Sequence, residues 1–200
     1  NQEQYAAALP ILQQALDNKP GNQPALYMQA QAPQLTGHNA TYDKAMAALA
    51  SQGGAKQAFT LAAEAEATYL RAAAEGNDDL RQEALKLFDE ARALDETLVA
   101  PYLYRGRYLA ETGRHFDAIL EYDRALESHP RHPGILTFKV YSQLALNNPQ
   151  DAVITLGRLE NVSPDADCYT LMAEAQFMLG DIEMVAQALS RLNEPGIDPV

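Results

Sequence analysis

Residues 99–132 read VAPYLYRGRYLAETGRHFDAILEYDRALESHPRH. Gly113 closes one apolar-periodic stretch, and Ala118 lies five residues further on, inside the next. Tyr122, Ala125 and Pro130 follow at fixed offsets. The pattern returns along the chain. Ala84, Phe88 and Ala91 stand 34 residues upstream, and Ala152, Leu156, Leu159 and Pro164 stand 34 residues downstream. Val185, Leu189 and Leu192 come 33 residues after that, preceded by Gly180. Ala8, Leu12, Ala15 and Pro20 repeat the second half alone near the start. Self-similarity at a fixed period of this size marks stacked supersecondary units.

Composition agrees. The chain has 35 alanines, 25 of them in residues 1–100, and alanine is the best helix former. Alternating strand-type runs are nearly absent, and Val153-Ile154-Thr155-Leu156 sits inside a helical pattern. The spacing predicts helices over 2–17, 23–36, 40–51, 55–75, 79–94, 99–112, 115–128, 133–146, 149–162, 167–179 and 182–193. The aligned prolines Pro20, Pro130 and Pro164 end the second helix of a pair, because the residue before a proline avoids the α region. Asn148-Pro149-Gln150-Asp151 reads as an N-cap, a proline at the first helical position and an acid in the first turn. Asp181 after Gly180 reads as a cap as well.

A 34-residue period with this pattern resembles the tetratricopeptide repeat. Tyr102, Gly106, Leu109, Gly113, Ala118, Tyr122, Ala125 and Pro130 fall on signature positions, with Tyr102 in place of the usual Trp and Arg105 in place of a common Leu. The resemblance implies an all-α fold, a right-handed superhelical solenoid of antiparallel helix pairs. It places a single array over 1–200: a half repeat at 1–20, an irregular repeat at 23–64, and repeats at 65–98, 99–132, 133–166 and 166–199. It also puts Gly106 and Ala118 where paired helices cross. The opening helix lacks a preceding partner, which leaves an expected uncovered face on Tyr5, Leu9, Leu12 and Leu16. Pro33, Gly37-His38-Asn39-Ala40 and Gly53-Gly54 mark the irregular stretch.

Charge and chemistry exclude several classes. Lys and Arg number 15 and Asp and Glu 27, a net charge of −12. That balance argues against a nucleic-acid surface, which needs cations to displace counterions from phosphates. No apolar run approaches the length of a transmembrane helix. The opening Asn1-Gln2-Glu3-Gln4 lacks a basic region followed by an apolar one, as a secretory signal would have, and the absence of a starting Met fits a trimmed chain. A single thiol is compatible with cytoplasm or periplasm. One cysteine, Cys168, excludes an intrachain disulfide and an all-cysteine metal site. Its place at a helix start could lower its pKa, but a buried structural role is the better reading. No phosphate loop, zinc-protease helix or nucleophile elbow occurs. His129-Pro130-Arg131-His132 with His115 has no carboxylate at ligand spacing, and Asn77-Asp78-Asp79 reads as an N-cap. We expect no enzyme activity, no metal and no cofactor.

The partner expected is a protein or peptide. The resemblance implies that the first helix of each pair lines a concave groove holding a partner segment. Carried over position by position, the groove residues are Tyr27, Tyr69, Leu103, Arg107, Thr137, Tyr141, Thr170, Glu174 and Phe177, with Gln31 and Ala73 beside them. A cationic clamp for C-terminal carboxylates is missing, since Leu103, Arg107, Phe138, Asp167 and Leu171 occupy its positions. Arg71, Arg105 and Lys139 form a ladder at 34-residue spacing, expected to pair with acids such as Glu121 or Glu127. The alternative function is a homo-oligomerisation module, or a recruiting subunit of a larger assembly, acting through exposed terminal helices.

Overall fold

Helix-forming residues, with caps between them, divide the chain into short helices. The computed structural model describes residues 2–36, 39–51, 57–194 and 197. Among these it has eleven helices and no strand: α1 (Gln2–Asn18), α2 (Gln23–Thr36), α3 (Asn39–Ser51), α4 (Ala58–Glu75), α5 (Asp78–Leu94), α6 (Val99–Glu111), α7 (His115–Ser128), α8 (Pro133–Ala145), α9 (Pro149–Glu160), α10 (Ala166–Leu179) and α11 (Ile182–Arg191). α1 runs through Pro10 and α2 through Pro33. Gly37, His38, Gly53 and Gly54 lie outside the described residues, as do the side chains of Tyr5 and Gln31.

The helix starts are set by local chemistry. Side-chain oxygens of Asn77, Asn148, Asp165 and Asp181 accept from the backbone N–H groups of Leu80, Asp151, Cys168 and Met184 at 3.1, 3.4, 2.9 and 3.1 Å. Each satisfies a donor that the helix itself leaves open. Gly113 and Gly180 end α6 and α10 at φ of 79° and 77°, a left-handed turn that a Cβ disfavours. The helix expected from residue 55 begins only at Ala58. Gln57 is extended, with φ −79° and ψ 142°, and its side chain makes no cap.

His132 caps α8, its Nδ1 accepting from Ile135 N–H at 3.3 Å. Burial pushes the His132 imidazole below its ordinary value, and the nearby His129 adds to this, against the effect of a backbone hydrogen bond.

Two compact units divide the chain, Asn1–Pro101 and Tyr102–Val200, with the boundary inside α6. In the first unit, α2 packs with α3 and α4 with α5, while α2 also meets α4. Leu12 and Leu16 join Ala25, Leu26 and Leu49 in one cluster, and Ala30, Ala45 and Ala63 make a second. This corrects the uncovered face expected on α1. Leu12 and Leu16 are each 8% exposed because α2 covers them, and Leu9 is half-buried.

In the second unit α8 pairs with α9 and α10 with α11, and α8 also meets α10. Its core holds Ala118, Tyr122, Ile135, Leu136, Val140, Ala152, Leu156, Leu159, Cys168 and Ala175, all essentially inaccessible. Two members of the basic ladder find acids: Arg105 Nε lies 3.8 Å from Glu121, and Lys139 pairs with Asp123. Arg71, in the first unit, is exposed.

At Gly106 α6 lies directly against the Tyr122 ring of α7. A Cβ on Gly106 would lie 2.8 Å from both Cδ1 and Cζ of Tyr122, and nearer still to Cε1. That ring is fully buried and has nowhere to go. Gly106→Ala would gain about 1 kcal/mol in helix propensity against up to about 3 kcal/mol of overpacking. We expect a net loss of about 1–2 kcal/mol in urea unfolding. Tyr122→Leu should absorb part of it, so the two losses combine to less than their sum. Strict additivity would show that the ring is not the obstacle.

Candidate functional site

In the second unit, the expected groove positions fall on α6, α8 and α10. Arg107 is at the centre. Its guanidinium carbon lies 5.4 Å from the ring centroid of Tyr104 and 5.2 Å from that of Phe138, within the range of cation–π attraction. Phe138 in turn stacks on Tyr122, with centroids 6.4 Å apart and planes at 26°. Arg107, Phe138 and Tyr141 thus meet at one cleft of about 140 Å³, which Tyr122, His115 and Ser142 also line. Tyr141 is 49% exposed and Phe177 67%, more than large apolar groups need to be, so both offer contact area.

The polar groups differ in what they can still do. Thr137 Oγ1 donates to the Pro133 carbonyl at 3.1 Å, and Thr170 Oγ1 to the Ala166 carbonyl at 2.7 Å. Their hydroxyl protons are taken by their own helices, so they present a methyl and an acceptor. The Tyr141 phenol is pushed above its ordinary pKa, first by partial burial and then by the charges of Asp167, Glu174 and Asp165. It therefore stays protonated, and the α10 side of this face is negative while the α6 side carries Arg107. Leu103 is half-buried, and Glu174 is exposed.

The expected positions in the first unit behave differently. Tyr69 is fully buried, with Arg81 stacked over its ring at 5.5 Å. It belongs to the core and cannot line a groove, which corrects the sequence expectation. Tyr27 is half-buried, donates its hydroxyl to Glu66 at 3.2 Å, and lies 5.7 Å from the Phe59 ring.

The sequence weighs Phe138 only as a clamp position and His115 only as a metal ligand, and it gives Ser142 no role. One signal was available: Ser142 falls seven residues after the buried Ile135, on the inward stripe of α8. A polar residue on such a stripe marks either a local bond or a site.

Comparison with solved structures places this helix arrangement. PilW, a widely conserved type IV pilus biogenesis factor, is similar at a TM-score of 0.63 and 19% identity, over 95% of this chain and 85% of its own. A thermophilic TPR protein of Thermus thermophilus matches at 0.60 and 18% identity, over 94% of this chain and 90% of its own. The chain has a tetratricopeptide-repeat-like fold. A tetratricopeptide repeat protein from Parabacteroides merdae shares it at 0.55 and 16% identity, over 98% of this chain and 74% of its own. No protein-family model and no curated protein matches the sequence.

The remaining reactive groups are engaged elsewhere. Asn77 uses its side chain as a cap, with Asp78 and Asp79 in the first turn of α5. Among the described residues no three His, Cys, Asp or Glu side chains are arranged to hold a metal ion. None of the described helices is long and apolar enough to cross a membrane. Cys168 is fully buried. Burial, then the charges of Asp165 and Glu160, push its thiol up to about 12. Position at a helix start does not lower the pKa here, contrary to the sequence-based possibility. We expect native Cys168 to react with Ellman's reagent at least a hundredfold more slowly than in guanidinium, since the thiolate is the nucleophile. Comparable rates would contradict both the burial and the raised pKa.

Proposed function

We propose that this protein is a non-catalytic scaffold that binds an extended segment of a partner protein on the face formed by α6, α8 and α10. The observation that carries this reading is the meeting of Arg107, Phe138 and Tyr141 at one exposed cleft. Arginine and tyrosine are the residue types that dominate binding hot spots, because they combine area with directed hydrogen bonds. Thr137, Thr170, Glu174 and Phe177 extend the face along α8 and α10, and Leu103 borders it on α6. The charges set a polarity. A segment carrying a Lys or Arg toward α10 meets Glu174 and Asp167, and its neutral part meets α6.

Partner capture from lysate tests this. The wild type is compared with Tyr141→Ala plus Arg107→Glu, both checked for helicity by circular dichroism. A protein retained by the wild type should be lost at least tenfold by the folded double variant. Unchanged retention would exclude this face.

A second reading rests on α11. Ile182 and Leu189, seven residues apart and so on one face of the helix, are 64% and 46% exposed, while Ala188 is the residue of this helix that is buried. Such an apolar stripe fits the same stripe on a second copy. Light scattering from micromolar to millimolar protein should then show the mass rising toward a dimer, and Ile182→Lys plus Leu189→Lys should abolish the rise. A constant monomer mass overturns this reading.

A further inference from the structure

We propose that the cleft among α6, α7 and α8 receives one tyrosine side chain of the partner segment. This rests on the binding face described above and adds what that face selects. The volume comes first. At about 140 Å³ the cleft falls below the roughly 300–1,000 Å³ of small-molecule sites, so it suits a single side chain. Its walls come second. Phe138 and Tyr141 offer ring faces and edges, the buried Tyr122 backs Phe138, and Arg107 lies over Phe138, an arrangement that favours a flat aromatic ring.

The polar lining decides which aromatic ring. Ser142 is 1% exposed, and its Oγ has no hydrogen-bond partner among the described residues. Three threonines in the same unit, Thr137, Thr155 and Thr170, donate to the carbonyl four residues back. Ser142 makes no such bond, although a helical hydroxyl usually can. His115 Nδ1 is likewise buried without a partner, and His115 and Ser142 line the same cleft. A hydroxyl and an imidazole nitrogen together can both give and take a hydrogen bond. They call for a ligand group that does both. Arg107 and Glu111 both border the cleft, so their formal charges cancel and neither a carboxylate nor an ammonium is favoured. A flat ring ending in a neutral donor–acceptor is a phenol.

The test is an NMR titration of the 15N-labelled full chain with three probes: N-acetyl-tyrosinamide, N-acetyl-phenylalaninamide and acetate. The tyrosine probe should shift the backbone amides of Arg107, His115 and Ser142. It should bind about five- to tenfold tighter than the phenylalanine probe, the gain expected for one well-made hydrogen bond. Ser142→Ala, which keeps a good helix former, should lower the tyrosine probe to the phenylalanine level and leave the latter unchanged. Equal affinity of the two aromatic probes for the wild type overturns the inference without recourse to any variant. So does a preference that survives Ser142→Ala, tighter binding of acetate, or shifts confined to other helices. A partner lost on changing Tyr141 and Arg107, with no preference for the tyrosine probe, leaves the binding face standing and removes this inference. A tyrosine preference with no such loss does the reverse.

Discussion

How close α6 can come to α7 governs the second unit. Gly106 leaves a gap, and the Tyr122 ring fills it. With its position fixed, Tyr122 supplies the surface on which Phe138 stacks. Phe138 then lies under Arg107. A single missing Cβ is thus linked through two rings to a guanidinium at the surface. The same contact that holds two helices together also shapes one wall of the cleft.

Elsewhere the fold depends on many small, similar contacts. Alanines at 30, 45, 62, 63, 84 and 91 are almost inaccessible in the first unit, as are those at 118, 152 and 175 in the second. Small side chains let helices lie close and lose no rotamer freedom on burial. The helices that pack together are adjacent or next but one in sequence, so stability is close to a sum of local terms. A defect at one crossing weakens its own neighbourhood first.

Helix positions were legible in the sequence because capping and termination are local. Asn77, Asn148 and Asp181 act within three residues of themselves, and Gly113 needs only its own φ. Where no local signal exists, the reading slipped, as at Gln57 before α4. The site was harder to read. Arg107 and Tyr141 were found by position in a repeat, and they share a cleft. Tyr69, at the repeat position of Leu103 and Thr137, is closed off beneath Arg81. Position in a repeat cannot register what a side chain of the neighbouring helix covers. Leu12 and Leu16 were misread for the same reason, because burial depends on a second helix. The unsatisfied Ser142 hydroxyl is likewise a property of the assembled unit.

Among the side-chain caps described in the second unit, only that of α8 is an imidazole; the others are amides or carboxylates. A proton on His132 Nδ1 would remove the acceptor from Ile135 N–H and set a positive charge against the positive end of the helix dipole. The folded chain resists that proton, since its imidazole sits below 6.5. As pH falls below 6.5 the unfolded chain takes up the proton first, so this contribution is whole above that value and drains away beneath it. Mild acid therefore works on the first turn of the helix that carries Phe138, Tyr141 and Ser142.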